Sequence, residues 1–559
     1  MVLAVVIGGG AGAGSVVFRW CITTFTHLFS GHTDYAASPG ASNPHVPWLG
    51  PYFVVLAPVI GGLLYGPLVN RFAKEARGHG VPEVMLAVAQ RGGRISPKVA
   101  LVKTLASALT IGSGGSVGRE GPIVQIGSAL GSTLGRVTKV AEGRMKLLVA
   151  CGAAGGIAAT FNAPLAGVFF AMELILDTFS AEAFGATVLA SVTASVIGRA
   201  AFGDTAFLNL PGFHVDHLTQ YALFAVLGIG AAVVGMGFAR FLYLIEDACD
   251  WLWRGPEWLR PAAGGLLLGL VLLALPEMYG VGYPVLQKAT EGDYAVGFLL
   301  LLLVGKMLAT SLTIGIGGSG GVFAPSLFIG AMLGSAYGIG VHHLLPRSAG
   351  AVGAYALVGM GAVFAGAARA PITAVVILFE LTGEYSIILP LMLAIVLATA
   401  TSRLLSGDTI YTLKLRRRGV DLEGPATGAR IGTQHVGAVM EPLPSALPAS
   451  TTLADSAGLL SLSGHGALPV VDDSGHYVGV VTAQAVAEAL AEQPEDAPTR
   501  IGQLAEVPVP VLADQPLAQA LHILLSAAGT GVPVIDSVHG KPVGWLSHQS
   551  ALRAVHRTA

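Results

Sequence analysis

The chain has 559 residues, of which 53% are hydrophobic and only 11% charged, with 76 glycines and a formal net charge of −2. Its mean hydropathy is +0.69. Soluble domains carry about a quarter charged residues, so this composition excludes an ordinary soluble protein, and the near-neutral charge offers no basis for nucleic-acid binding.

The first predicted span starts almost at Met1. "MVLAVVIGGGAGAG" lacks a basic leader region, so it reads as a membrane segment and not as a cleavable signal. Apolar runs follow at Leu56–Leu68, Leu147–Leu176, Leu223–Val234, Gly264–Leu275, Phe298–Leu312 and Ile387–Ala400. Many are interrupted by Gly or Pro, which predicts an all-α polytopic membrane protein with broken helices. Arg71, Lys74 and Arg77 after the early span, and Lys414, Arg416, Arg417 and Arg418 after the last, point both ends towards the cytoplasm. Cys21, Cys151 and Cys249 have neither disulfide nor metal spacing and read as small apolar side chains.

Between these runs the chain repeats itself. "KTLASALTIGSGGSVGREGP" (103–122) aligns with "KMLATSLTIGIGGSGGVFAP" (306–325) with 12 of 20 positions identical. "GHGVP" (78–82) matches "GVGYP" (280–284), and "APLAGVFFAMEL" (163–174) matches "APITAVVILFEL" (370–381). Three matches in one order at offsets near 203 divide the region into two homologous halves, about 1–200 and 201–405. A last helix is expected at about 406–418. Duplicated halves with interrupted spans are the pattern of transporters that bind an ion near the midplane.

In "GHGVP", "GREGP" and "GVFAP", glycine-rich backbone is followed by a proline suited to the first turn of a helix. A helix that starts inside the membrane presents free amides and the positive end of its dipole. Several such ends together make an anion site without a full charge, from which the ion can also leave. Acidic residues grouped in the spans, as a divalent-cation transporter needs, are not part of this pattern. Nor is any nucleophile–base pair or metal-ligand spacing, so the chain does not read as an enzyme.

Beyond a linker at 419–435, residues 436–490 and 501–555 form two similar units. Each has a helical stretch, then "ALPVVD" or "GVPVID", a turn, "VGVV" or "VGWL", and a closing helix. This resembles a tandem CBS pair of β–α–β–β–α units.

The motifs "GHGVP", "GREGP", "GVFAP" and "GDTIYTLKL" together resemble the CLC family of chloride channels and chloride/proton exchangers, over residues from about 10 to 420. The resemblance implies two inverted repeats of about 17 membrane helices in all, spanning 1–418, and a homodimer with one pore per subunit. It implies chloride or a similar small anion as the transported ion, with no cofactor and no metal, in a multi-pass membrane protein whose CBS module is cytoplasmic (the inner membrane, in a bacterium). Glu120 takes the place of the gating glutamate, which competes with the anion and swings away when protonated. Its neighbours Arg119 and Gly121, together with His79, Gly80, Val81, Val322, Phe323, Ala324 and Tyr411, take the places of the anion site. Lys103 takes that of a lysine that adds positive potential.

Two positions depart from the family pattern. His79 stands where a serine is usual, so an imidazole replaces a hydroxyl at the central anion, and selectivity does not carry over. Leu174 stands where exchangers usually carry an inner proton-relaying glutamate, beside Glu173. A leucine carries no proton, so this position favours a passive, Glu120-gated channel, with chloride/proton antiport as the alternative. In the CBS pair, Thr482 and Ser547 keep the hydroxyls of a nucleotide motif, but Ala485 and Ser550 replace its acidic residues. That argues against adenine-nucleotide binding and for a dimerisation or gating module.

Overall fold

The computed structural model describes residues 1–203, 217–347, 349–420, 434–464, 466–492, 500–507, 509–526, 531–536 and 540–558. The chain forms two compact units, Met1–Asp421 and Leu422–Ala559. Most of the expected linker, 421–433, lies outside the described residues.

The first unit is helical throughout, and its two halves run through matching helices. The first half has α1 Val2–Ser30, α2 Phe53–Phe72, α3 Val81–Gln90, α4 Pro97–Gly112, α5 Glu120–Val137, α6 Glu142–Phe161, α7 Pro164–Phe170 and α8 Ala181–Phe202. The second has α9 Thr219–Leu252, α10 Arg260–Ala274, α11 Tyr283–Glu291, α12 Val296–Gly315, α13 Phe323–Leu344, α14 Val352–Ala368, α15 Pro371–Thr382 and α16 Ile388–Leu405. Among the described residues, eight helical segments are long and apolar enough to cross a membrane. Others, such as α3, α7 and α11, are too short to cross it, as fits helices that stop within the layer. Large apolar side chains such as Leu63, Ile229, Val233, Val304 and Val396 are exposed around the outside, while Lys103, Lys306, Thr310 and Glu120 are buried. Apolar surface outside and polar groups inside fit lipid as the solvent.

Proline stands in the first turn of α3, α4, α7, α10, α11 and α15. Gly80, just ahead of α3, has φ 86°, a conformation few other residues adopt. The final helix, α17, is shorter than expected: it covers only Thr412–Arg417. Residues 406–411 are not helical because the Thr409 hydroxyl accepts from the amides of Tyr411 (3.2 Å) and Thr412 (3.0 Å), which starts the helix late.

The second unit holds two three-stranded sheets. β1 Leu447–Pro448 pairs parallel with β2 Ala467–Val471, which pairs antiparallel with β3 Tyr477–Thr482. β4 Val511–Leu512, β5 Gly531–Ile535 and β6 Pro542–Ser547 repeat this order. Helices α18 Leu453–Leu462 and α19 Ala483–Glu492 accompany the first sheet, and α20 Leu517–Ser526 and α21 His548–Thr558 the second. The lead segments are exchanged. Val436 belongs to the core of the second sheet and Ile501 to that of the first. Backbone pairs Glu441–Trp545 and Val480–Glu506 fasten the crossing. Each unit thus completes its core with a segment adjoining the other in sequence, so the two fold as a pair.

Candidate functional site

The two halves meet at residues that are equivalent in the repeat. Gly118 donates to Gly321 O (2.8 Å) and Gly321 donates back to Gly118 O (2.6 Å), and the two positions are 203 apart in sequence. When equivalent residues exchange both bonds, a local two-fold axis passes between them. The same symmetry governs two glutamates. Glu173, in a π-helical turn at Ala171–Leu176, accepts from the amides of Ile372 (3.1 Å) and Thr373 (2.8 Å) at the start of α15. Glu380 accepts from Leu165 (2.9 Å) and Ala166 (2.7 Å) at the start of α7. Each half caps a helix of the other, a structural task for both carboxylates.

Close to the axis, α3, α5 and α13 begin. A Cβ on Gly80 would lie 2.6 Å from Gly121 O, and one on Gly121 would overlap the carbonyl of His79. Glycine at both positions is what lets α3 and α5 start side by side. The amides of Gly80, Val81, Val322 and Phe323 have no acceptor among the described residues, so these helix starts keep donors free for an anion.

Glu120, 1% exposed, stands at this junction. Its Oε1 accepts from the Tyr283 hydroxyl at 2.8 Å and its Oε2 faces the amide of Ala324 at 3.4 Å. The carboxylate therefore occupies the start of α13. Arg119 lies over the rings of Phe161 (5.7 Å) and Tyr283 (5.2 Å), and its Nη2 reaches Thr160 O at 3.4 Å. Phe323 packs edge-on against Phe364, 4.5 Å between centroids. Tyr411 is buried, and its hydroxyl bonds to no described residue.

Two buried lysines stiffen the loops ahead of the short helices. Lys103 donates to Ala76 O (2.9 Å) and Gly78 O (2.7 Å). Its repeat partner Lys306 donates to Gly280 O (3.1 Å), Val281 O (2.9 Å) and Ser116 Oγ (2.8 Å). Lys103 thus puts its charge into the backbone just ahead of His79. His79 is fully buried, neither ring nitrogen has a partner, and its ring lies 6.1 Å from that of Tyr243.

One cavity of about 470 Å³ reaches Arg19, Asp34, Arg119 and Tyr283. Another, of about 300 Å³, reaches Gly78, Tyr243, Glu246 and Lys414. Neither lining includes Glu120 or His79, but Tyr283, which bonds Glu120, lines the first, and Gly78, next to His79, lines the second.

Sequence reading missed Tyr283. It occupies the place of Val81 in "GVGYP", and the repeat alignment marks the position but not the hydroxyl's target. The CBS hydroxyls have local partners: Thr482 Oγ1 accepts from Ala485 N (3.2 Å), while Ser547 Oγ accepts from Ser550 N (3.0 Å) and donates to Glu441 (3.0 Å). Both act as helix caps.

The family model described as "Voltage gated chloride channel" matches residues 61–403, and the CBS domain model matches 436–492 and 501–557. A putative chloride channel protein ClcB-like from Ralstonia nicotianae is 35% identical over 427 residues, 75% of this chain and 97% of the relative. An H(+)/Cl(-) exchange transporter ClcA from Vibrio campbellii is 36% identical over 63% of this chain and 76% of its own. The crystal structure of a slow cyanobacterial Cl-/H+ antiporter aligns with a TM-score of 0.65 at 29% identity, covering 75% of this chain and 97% of that one. With the paired halves, the interrupted helices and the carboxylate at the start of α13, these matches lead to one assignment: the chain belongs to the voltage-gated chloride channel (CLC) family and carries a tandem CBS pair.

Proposed function

We propose that this chain exchanges chloride for protons across a membrane, with Glu120 as the group through which both ions pass. The observation that carries the reading is the seat of Glu120. Its carboxylate holds the position at the start of α13 where free amides would receive an anion, and its partner Tyr283 lines a cavity that does not reach the carboxylate itself. An anion passes only when the carboxylate leaves. Protonation removes the charge that holds it against the helix start, so each displacement is tied to a proton. Val322, Phe323, Gly80 and Val81 supply amides to the anion, and Tyr411 and His79 supply side-chain donors.

The passive-channel reading rested on Leu174, and it gives way here. Relatives 36% and 29% identical are named as an exchange transporter and an antiporter, and a missing carboxylate at one position does not close every route for a proton. Leu174 carries no proton, so in this reading the inner part of the route runs elsewhere. We further infer a homodimer with one pore per subunit, no cofactor and no enzymatic activity. The basic cluster at Arg416–Arg418 supports a cytoplasmic CBS module, acting in dimerisation or gating and not as an adenine-nucleotide sensor.

Purified protein in liposomes tests this directly. An imposed chloride gradient should drive protons uphill, and equally a proton gradient should drive chloride. Chloride flux that dissipates its own gradient with no proton movement would return the chain to the channel class.

A further inference from the structure

The cavity of about 300 Å³ carries four basic side chains, Arg77, Lys414, Arg417 and Arg418. Three of them are neutralised locally. Arg77 pairs with Glu257 at 3.0 Å, Arg417 with Asp247, and Arg418 with the buried Glu83 at 2.5 Å. Lys103, just behind, gives its protons to the carbonyls of Ala76 and Gly78. Lys414 is different. It is buried, lines the cavity, and has no hydrogen bond or ion pair with any described residue. Glu246 lines the same cavity but stands beyond ion-pair distance from it.

The ammonium also has a defined place. A Cβ on Gly78 would lie 2.5 Å from Lys414 Nζ, which puts the charge against the residue that precedes His79. The His79 ring is fully buried with both nitrogens unpartnered, and Lys414, Lys103 and Arg418 all act on it electrostatically. A buried ammonium with no ion-pair or hydrogen-bond partner among the described residues, beside an imidazole without a partner, is costly in protein alone and is relieved by a bound anion.

We propose that Lys414 is an anion-capturing residue of this chain. Its ammonium takes a single monovalent anion from the cavity and passes it to the imidazole of His79. One unpaired positive charge, with the three arginines already neutralised and the Glu246 carboxylate in the same lining, suits a single monovalent anion and discriminates against sulfate or phosphate. Capture at the cavity also avoids trapping the ion deeper in, where only amides, hydroxyls and a ring meet it. The inference rests on the reading of the chain as a chloride transporter.

The test replaces the charge and then restores it chemically. Lys414→Cys is made with Cys249→Ala, since Cys249 is the one cysteine that is not buried. Chloride uptake into liposomes is then followed against chloride concentration. Losing a charged contact to the ion should raise KM for chloride about tenfold. Reaction with 2-aminoethyl methanethiosulfonate, which rebuilds an ammonium, should bring KM back. The sulfonatoethyl reagent, which installs a negative charge, should raise it further. An unchanged KM in Lys414→Cys, or equal effects of the two reagents, overturns the proposal. If that variant does not fold, calorimetric chloride titration of detergent-purified Lys414→Arg and Lys414→Met decides: weaker binding only in Lys414→Met supports it, and equal binding overturns it. Wild-type liposomes in the same series separate the two readings. If they carry no chloride, the transport reading fails; if they carry it and Lys414 variants behave alike, only the capture role fails.

Discussion

Glu120→Gln is the perturbation that tests Glu120 as the proposed gate. The seated carboxylate is held by the Tyr283 hydroxyl at 2.8 Å, by a long contact to the Ala324 amide at 3.4 Å, and by the field at the start of α13. Hydrogen bonds to a charged group contribute about 1.5–3 kcal/mol and those to a neutral one about 0.5–1.5, so the amide gives up roughly 1 kcal/mol at Tyr283. The lost interaction of the charge with the helix start adds about 0.3–1 kcal/mol. The long Ala324 contact contributes little. Together the seated state weakens by about 2 kcal/mol, which shifts the balance between seated and displaced side chain roughly 30-fold towards the open path. The variant is reconstituted in chloride-loaded liposomes, with potassium and valinomycin to clamp the potential, while a chloride electrode and a pH electrode follow both ions. Chloride flux should persist at least at the wild-type rate, lose its dependence on pH, and move no protons. Continued uphill proton transport in Glu120→Gln would refute the assignment, because an amide accepts no proton in this range.

Two further substitutions separate the gate from its scaffold. Tyr283→Phe removes the 2.8 Å hydrogen bond while keeping the ring under Arg119. It should raise chloride flux about fivefold by loosening the seated carboxylate, with pH dependence retained; unchanged flux would leave Tyr283 outside the gate. Glu173→Gln weakens the cap on α15, where the carboxylate accepts from Ile372 N, Thr373 N and Thr373 Oγ1. It should cost about 1–3 kcal/mol of stability, read as a lowered Tm in detergent, with the proton-to-chloride ratio unchanged. A changed ratio would make Glu173 a proton carrier.

The sequence by itself determined the class of solvent, the duplication and the positions of the helix starts. Each depends on local composition or on direct comparison of one segment with another: 11% charge for lipid, an offset of 203 for the repeat, and glycine before proline for a helix that begins inside the layer. The motif resemblance reached the same family that the comparisons report, and it proposed Glu120 and His79 as site residues. What Glu120 touches was not legible. Tyr283 lies 163 positions away and Ala324 another 41 beyond it, and which of many buried hydroxyls and amides meets a carboxylate is decided by how α5, α11 and α13 pack. The exchange of lead segments in the CBS pair escaped reading for the same reason, since strand pairing joins residues with no local signature of each other. Lys414 shows the limit most plainly. In sequence it is one member of a basic cluster, and only packing distinguishes it, by pairing Arg417 and Arg418 with carboxylates and leaving Lys414 without an ion pair among the described residues. Charge is a property of the residue, but whether a charge is free to hold an ion depends on its neighbours, and those are set by tertiary structure.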